Sequence, residues 1–209
     1  SLWSHFTGDA VVGEMTGTDL VAHPLSTVAW SDWREANPSG LVLDRETGFY
    51  KEYGFNPYPG YDDVDAQPFL FDGEVDGRFT AMTRVVAFNS GDEAVAVPLS
   101  TLRDQRLVRI DGDDADVIVW WKPGTSSALD SFDVAAGHDV GSTFVGRVNG
   151  DDDFAVVNDG AALRDAATES TWNILGRATD GSRQGERIAQ VQHFDTFWFA
   201  WAAYRPDTT

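Results

Sequence analysis

Between residues 85 and 165 the chain alternates short apolar runs with polar turns, the pattern of strands in an antiparallel sheet. Residues 85–88 and 94–97 flank Asn89-Ser90-Gly91-Asp92, which predicts a hairpin because these turn residues tolerate positive φ. Residues 107–110 and 117–121 flank Asp111-Gly112-Asp113-Asp114, and residues 143–148 and 154–157 flank residues 149–153. Asn158-Asp159-Gly160 marks a further turn. Strands spaced this closely predict a mainly β fold, an antiparallel meander forming a barrel or sandwich with a few short helices.

The helices are predicted at three places. Residues 98–103 make one turn or two. Ser31 is placed to cap a helix over residues 32–36, with Asp32 at its positive end and Pro38 stopping it. A helix at about residues 197–204 ends the same way before Pro206. Trp30 and Trp33 then share one face, as do Trp198 and Trp201, and both faces are expected to pack on sheet.

These two helices belong to a duplicated unit. Trp3, Gly8, Ala10, Gly13, Gly17 and Trp30 recur as Trp172, Gly176, Ala178, Gly181, Gly185 and Trp198, at a spacing of 168 residues once one deletion is placed between Trp172 and Gly176. Fixed-offset similarity marks a repeated structural unit. Residues 1–41 read as the tail of a first unit and residues 42–209 as one complete period, together a single compact domain over 1–209. The tail is expected to pack against the complete unit; a missing first half or another subunit is the alternative partner.

Composition narrows the functional classes. The 26 Asp outnumber 8 Glu and the 13 Arg outnumber 2 Lys, for a net charge of -19. Short hydrated carboxylates in place of lysine stems keep a surface dispersed when salt screens charge, so an extreme halophile is the expected source. Nucleic acid is excluded as a partner, because phosphate binding relies on clustered Lys and Arg. No window holds the ~20 apolar residues of a membrane span. With no Cys there is no disulfide, thiolate ligand or thiol nucleophile.

Several segments carry a resemblance: Ser1-Leu2-Trp3-Ser4, residues 53–62 with Asn56-Pro57-Tyr58, Pro68-Phe69-Leu70-Phe71, Trp121-x-Pro123-Gly124-Thr125, and residues 193–203 from His193 through Trp198 and Trp201. Together they resemble an uncharacterised prokaryotic family, domain of unknown function 3179. The resemblance implies a longer, often exported or lipid-anchored protein of two related halves. It also implies a Cys-Pro-Leu-Cys segment in the first half, for which this chain has Trp121-Lys122-Pro123-Gly124. Chemistry owed to those cysteines does not carry over.

Candidate chemistry is sparse. His193 and Asp195 stand two apart, so a strand places both on one face, where a carboxylate can orient an imidazole. His5, His23 and His138 show no ligand spacing. Ser126 and Ser127 follow the Pro-Gly-Thr turn without a nucleophile-elbow motif. For calcium, the oxygen-rich candidates are Asp62, Asp63 and Asp65, or Asp111 and Asp113, or residues 151–153, none in an EF-hand pattern.

Residues 44–66 lack periodicity and hold a tyrosine-rich loop. Tyr53, Asn56, Tyr58, Tyr61 and Asp62 are its recognition candidates for a protein, peptide or carbohydrate. The expectation is a non-catalytic binding or structural module, extracellular or at the cell surface, without a cofactor. The alternatives are a hydrolytic or metal-assisted enzyme near His193, Asp195 and residues 53–62, and a subunit of a surface assembly.

Overall fold

Strands form where the apolar runs predict them, and the edges left free decide which strands pair. The computed structural model describes residues 1–112, 115–149 and 152–209. The first copy supplies β1 (Leu2–Trp3), β2 (Ala10–Val12) and α1 (Trp30–Ala36). The middle supplies β3 (Arg84–Ser90), β4 (Glu93–Pro98), α2 (Leu99–Gln105), β5 (Leu107–Ile110), β6 (Asp116–Lys122), β7 (Ser142–Val148), β8 (Phe154–Val157) and β9 (Ala162–Asp165). The second copy supplies β10 (Thr171–Trp172), β11 (Ala178–Asp180), β12 (Ala189–Gln190), β13 (His193–Phe197) and α3 (Trp198–Tyr204). All pairings among the described residues are antiparallel, in sheets ordered β1-β2, β13-β3-β4, β12-β7-β6-β5 and β11-β10-β9-β8.

The β3–β4, β5–β6 and β8–β9 hairpins lie at their predicted turns. β7 and β8 do not pair with each other among the described residues. β7 already has β6 on one edge and β12 on the other, so β8 passes to the next sheet. The sheets remain open, which makes the fold a sandwich and not a barrel.

Alternation along β6 and β3 explains the layers. In β6, Val117, Val119 and Trp121 enter a core with Val86, Phe88 and Leu102, while Ile118 and Trp120 enter another with Leu163 and Trp172. In β3, Val86 and Phe88 face the β6 sheet, while Val85 and Ala87 meet Trp198 and Trp201 of α3. The order through the molecule is therefore α3, the β3 sheet, the β6 sheet, then the β10 sheet. A sheet buried on both faces reads as a continuous apolar run, as β6 does.

The helices sit close to their predicted places, with two corrections: α1 buries no residue, so its Trp30–Trp33 face does not pack into a sheet as the Trp198–Trp201 face of α3 does, and its start differs. α1 starts at Trp30 after Ala29, which makes no side-chain cap, so Ser31 lies inside the first turn. It ends at Ala36, ahead of Pro38, and the Asn37 amide donates to Trp33 O at 2.9 Å. No helix among the described residues is long and apolar enough to cross a membrane.

The repeat is a repeat of hydrogen bonds. Leu2 pairs with Val12 and Trp3 with Ala10 across a bulge, as Thr171 pairs with Asp180 and Trp172 with Ala178. Ser1 Oγ accepts from Met15 N at 2.9 Å, and Ser170 Oγ from Arg183 N at 3.0 Å. Leu20 N donates to Gly8 O, and Ile188 N to Gly176 O, both at 2.9 Å. Burial then diverges, because β9 flanks β10 and β3 underlies α3 in the second copy only. The first copy touches the complete unit through Phe6, Val28, an Asp32–Lys122 ion pair of 2.9 Å and a bond from Arg177 to Ala36 O of 3.1 Å.

Candidate functional site

The tyrosine loop divides into pinned and open residues. Asn56 is buried: its N–H donates to Phe132 O and its Oδ1 accepts from Tyr58 N, both at 2.8 Å, while Nδ2 has no partner. Tyr61 N donates to Leu129 O at 2.9 Å, and its ring meets Phe69 and Phe197 edge-on. Tyr53 and Tyr58 are exposed, with the Tyr53 hydroxyl 3.3 Å from Thr47 Oγ1 and the Tyr58 ring 6.2 Å from Phe69. Packing thus takes Asn56 and Tyr61 inward.

Asp62 closes the loop on a polar knot. Its Oδ2 accepts a short hydrogen bond from Ser127 Oγ, lies 3.9 Å from the Arg84 guanidinium, and lies 3.6 Å from His138 Nε2. Arg84 in turn holds Asp195 with two bonds of 2.8 and 2.9 Å. His138 Nδ1 is 3.1 Å from Asp130 Oδ2, and the His138 backbone N–H donates to that oxygen at 2.7 Å. This backbone bond, ahead of the imidazole contacts, holds the Asp130 carboxyl below its usual range.

Asp62, Asp130 and His138 bring three donor atoms within 4.8 Å of one another, a set that suits a divalent cation. Ser127 is fully buried, so it offers no accessible nucleophile. As it stands, the knot ties residues 60–62, 127–138, β3 and β13 together. Spacing along the chain does not show that Asp62 meets His138 and Arg84, or that Asp130 joins it through His138. Ser127 and Asp62 are 65 positions apart, and Arg84 and Asp195 are 111 apart.

The structure does not make a dyad of His193 and Asp195. His193 is buried, its Nδ1 is 3.0 Å from Val191 O, and burial pushes its pKa down. The Asp195 carboxylate goes to Arg84. Asp63 Oδ1 accepts from Asp65 N at 3.0 Å in an exposed turn, and Asp111 is also exposed. These three aspartates join no metal-ready cluster among the described residues. Asp113, Asp114 and Asp151 lie outside the described residues.

A cleft of about 550 Å3 opens between the first copy and the complete unit. Phe6 forms one wall, packed against Phe194 at 5.1 Å and stacked on Tyr204 at 4.8 Å. Arg147 from β7, Gln190 from β12 and Gln192 line another part. Arg205 also lines it, bonded to Asn89 Oδ1 at 2.9 Å and paired with Asp207 at 3.5 Å. No carboxylate lines the cleft among the described residues. The volume is in the range of small-molecule sites, which combine apolar walls with a few polar groups. Residue spacing does not show this cleft, because its wall joins the two copies.

Residues 1–208 match the family model described as Protein of unknown function (DUF3179). No curated protein and no solved structure matches the chain.

Proposed function

We propose, for a chain that belongs to the DUF3179 family over residues 1–208, a non-catalytic binding module that works outside the cell in high salt and takes its ligand in the cleft between the first copy and the complete unit. The observation that carries this reading is the cleft itself, with Phe6 and Tyr204 as aromatic walls beside Arg147 and Gln192. Supporting it, Ser127 and His193 are buried, and the Asp195 carboxylate is held by Arg84. The excess of Asp over Glu and of Arg over Lys supports the high-salt setting.

Backbone-amide NMR in molar KCl tests the site against a panel of small saccharides and short peptides. Shifts gathered on Phe6, Arg147, Gln192 and Tyr204 are expected. Shifts gathered instead on Asp62, Asp130 and His138 overturn the reading.

One observation favours a second reading, a metal-assisted hydrolase: the Asp62, Asp130 and His138 donor set. Its test is calorimetric titration with Zn2+, Mn2+ and Ca2+, followed by an ester and phosphoester turnover screen. Tight binding that His138→Ala removes, together with turnover, would favour the enzyme. Against it, Asp62 Oδ2 already takes the Ser127 hydroxyl and faces the Arg84 cation.

A further inference from the structure

We infer that the cleft takes an acidic saccharide, a sugar ring bearing a carboxylate or a sulfate; this rests on the reading of the cleft as a ligand site. The chain carries 34 acidic and 15 basic residues, so a wall without Asp or Glu runs against its own composition. Its charged groups are instead Arg147 and Arg205. A site for a neutral or cationic ligand has no reason to exclude carboxylates on a surface otherwise crowded with them. A site for an anion has one, because a like charge beside the ligand repels it.

The two arginines differ. Arg205 is already paired with Asp207 and bonded to Asn89, so it mainly stiffens the rim. Arg147 is exposed on β7 beside Ala189 of β12, and its guanidinium makes no hydrogen bond or ion pair among the described residues. Arg84, Arg109, Lys122 and Arg183 are each held by an aspartate, while among the described residues Arg147 shares its unpaired state with Arg34, Arg45 and Arg187 and differs from those three in lining the cleft. An unpaired guanidinium presents a planar fork of donors that matches an oxyanion in two bonds.

The rest of the wall selects the body of the ligand. Tyr204 is stacked on Phe6 through one face and is 52 % exposed, so its other face is open. A flat apolar plate beside the amide of Gln192 and the hydroxyl of Thr7 suits a ring with C–H bonds on its face and hydroxyls on its edge. Gln190 is held in place by Ser26, whose Oγ it reaches at 2.6 Å. Ser26 belongs to the first copy, so the duplicated tail completes the site.

The test is calorimetry with the whole chain in molar KCl, using tri-galacturonate, its methyl ester as the uncharged twin, and galactose 6-sulfate. Wild type, Arg147→Gln, Tyr204→Ala and the distant control Arg164→Gln are compared, with amide NMR locating the ligand. The acid is expected to bind about tenfold or more tightly than the ester, and Arg147→Gln to remove that difference. Binding of galactose 6-sulfate alone, with the same dependence on Arg147, also supports an acidic saccharide and identifies sulfate as the anion. Equal binding of acid and ester, unaffected by Arg147→Gln, overturns the anionic ligand and leaves the cleft reading standing. No shift at the cleft with any of the three probes overturns the acidic saccharide, and shifts at the cleft with the neutral saccharide or peptide panel would then preserve the site alone.

Discussion

Trp30 and Trp198 open the same helix in two copies of one unit, yet Trp30 is 53 % exposed and Trp198 only 1 %. Trp198 N donates to Thr83 O at 2.8 Å, its indole N–H donates to Asp76 O at 3.0 Å, and its ring packs edge-on against Phe79. Among the described residues the Trp30 ring has one aromatic partner, Trp33, stacked at 5.2 Å. Equal sequence therefore carries unequal energy. Trp198→Ala is expected to cost about 3–5 kcal/mol, the range for a buried Trp, and Trp30→Ala less than about 1 kcal/mol. Denaturant unfolding at fixed high salt checks both, and equal losses would mean that the Trp30 face is covered in solution.

Strained turns give the repeat a second test. A Cβ on Gly13 would lie 2.7 Å from Ser1 Cα, and one on Gly181 would meet Ser170 Cα more closely still, with φ of +116° and +90°. Gly181→Ala must therefore both adopt a disfavoured φ and push β10 away. The expected loss is about 2–3 kcal/mol. Gly185→Ala has φ +91° but open space around it, so about 1 kcal/mol is expected from the backbone alone. The difference between the two, measured by unfolding, isolates the close approach.

Much of this fold was legible because it is local. The β6 run from Val117 to Trp121 announces a sheet covered on both faces, and the fixed spacing from Trp30 to Trp198 announces the repeat. Ser31 misled as a cap because the helix begins with its tryptophan, as α3 does. The polar knot was not legible, since Asp62, Ser127 and Arg84 meet only when three distant segments fold together. Nor was the Arg147 cleft, whose walls come from β7, α3 and residue 6. Alternation tells which residues face a layer. It does not tell which layers leave a gap.

The knot around Asp62 predicts a structural phenotype. Ser127→Ala removes the hydroxyl that Asp62 accepts and leaves a buried carboxylate short of a donor. A loss of about 1–3 kcal/mol is expected. Because the knot ties residues 60–62 to residues 127–138, limited proteolysis should cut within residues 44–66 faster in the variant. Cleavage at the wild-type rate with unchanged stability would remove the knot from the scaffold.

His193 sets a pH dependence with a definite sign. Burial, ahead of the opposing effects of the Val191 carbonyl and Asp195, lowers its pKa below the ordinary imidazole value of 6.5. The unfolded chain therefore binds a proton that the folded chain refuses, in the window below 6.5 and above the folded value. Stability from this group is complete above 6.5, falls as pH drops through that window, and is constant below it. Asp76, Asp116 and Asp130, each held below 3.8, add their own losses only at lower pH. The measurement is unfolding free energy from pH 8 to 4.5 for wild type and His193→Gln at one salt concentration. The wild type should lose stability more steeply below pH 6.5, and the difference curve should flatten at the acid end. Parallel curves would show that the buried imidazole keeps its ordinary affinity for protons.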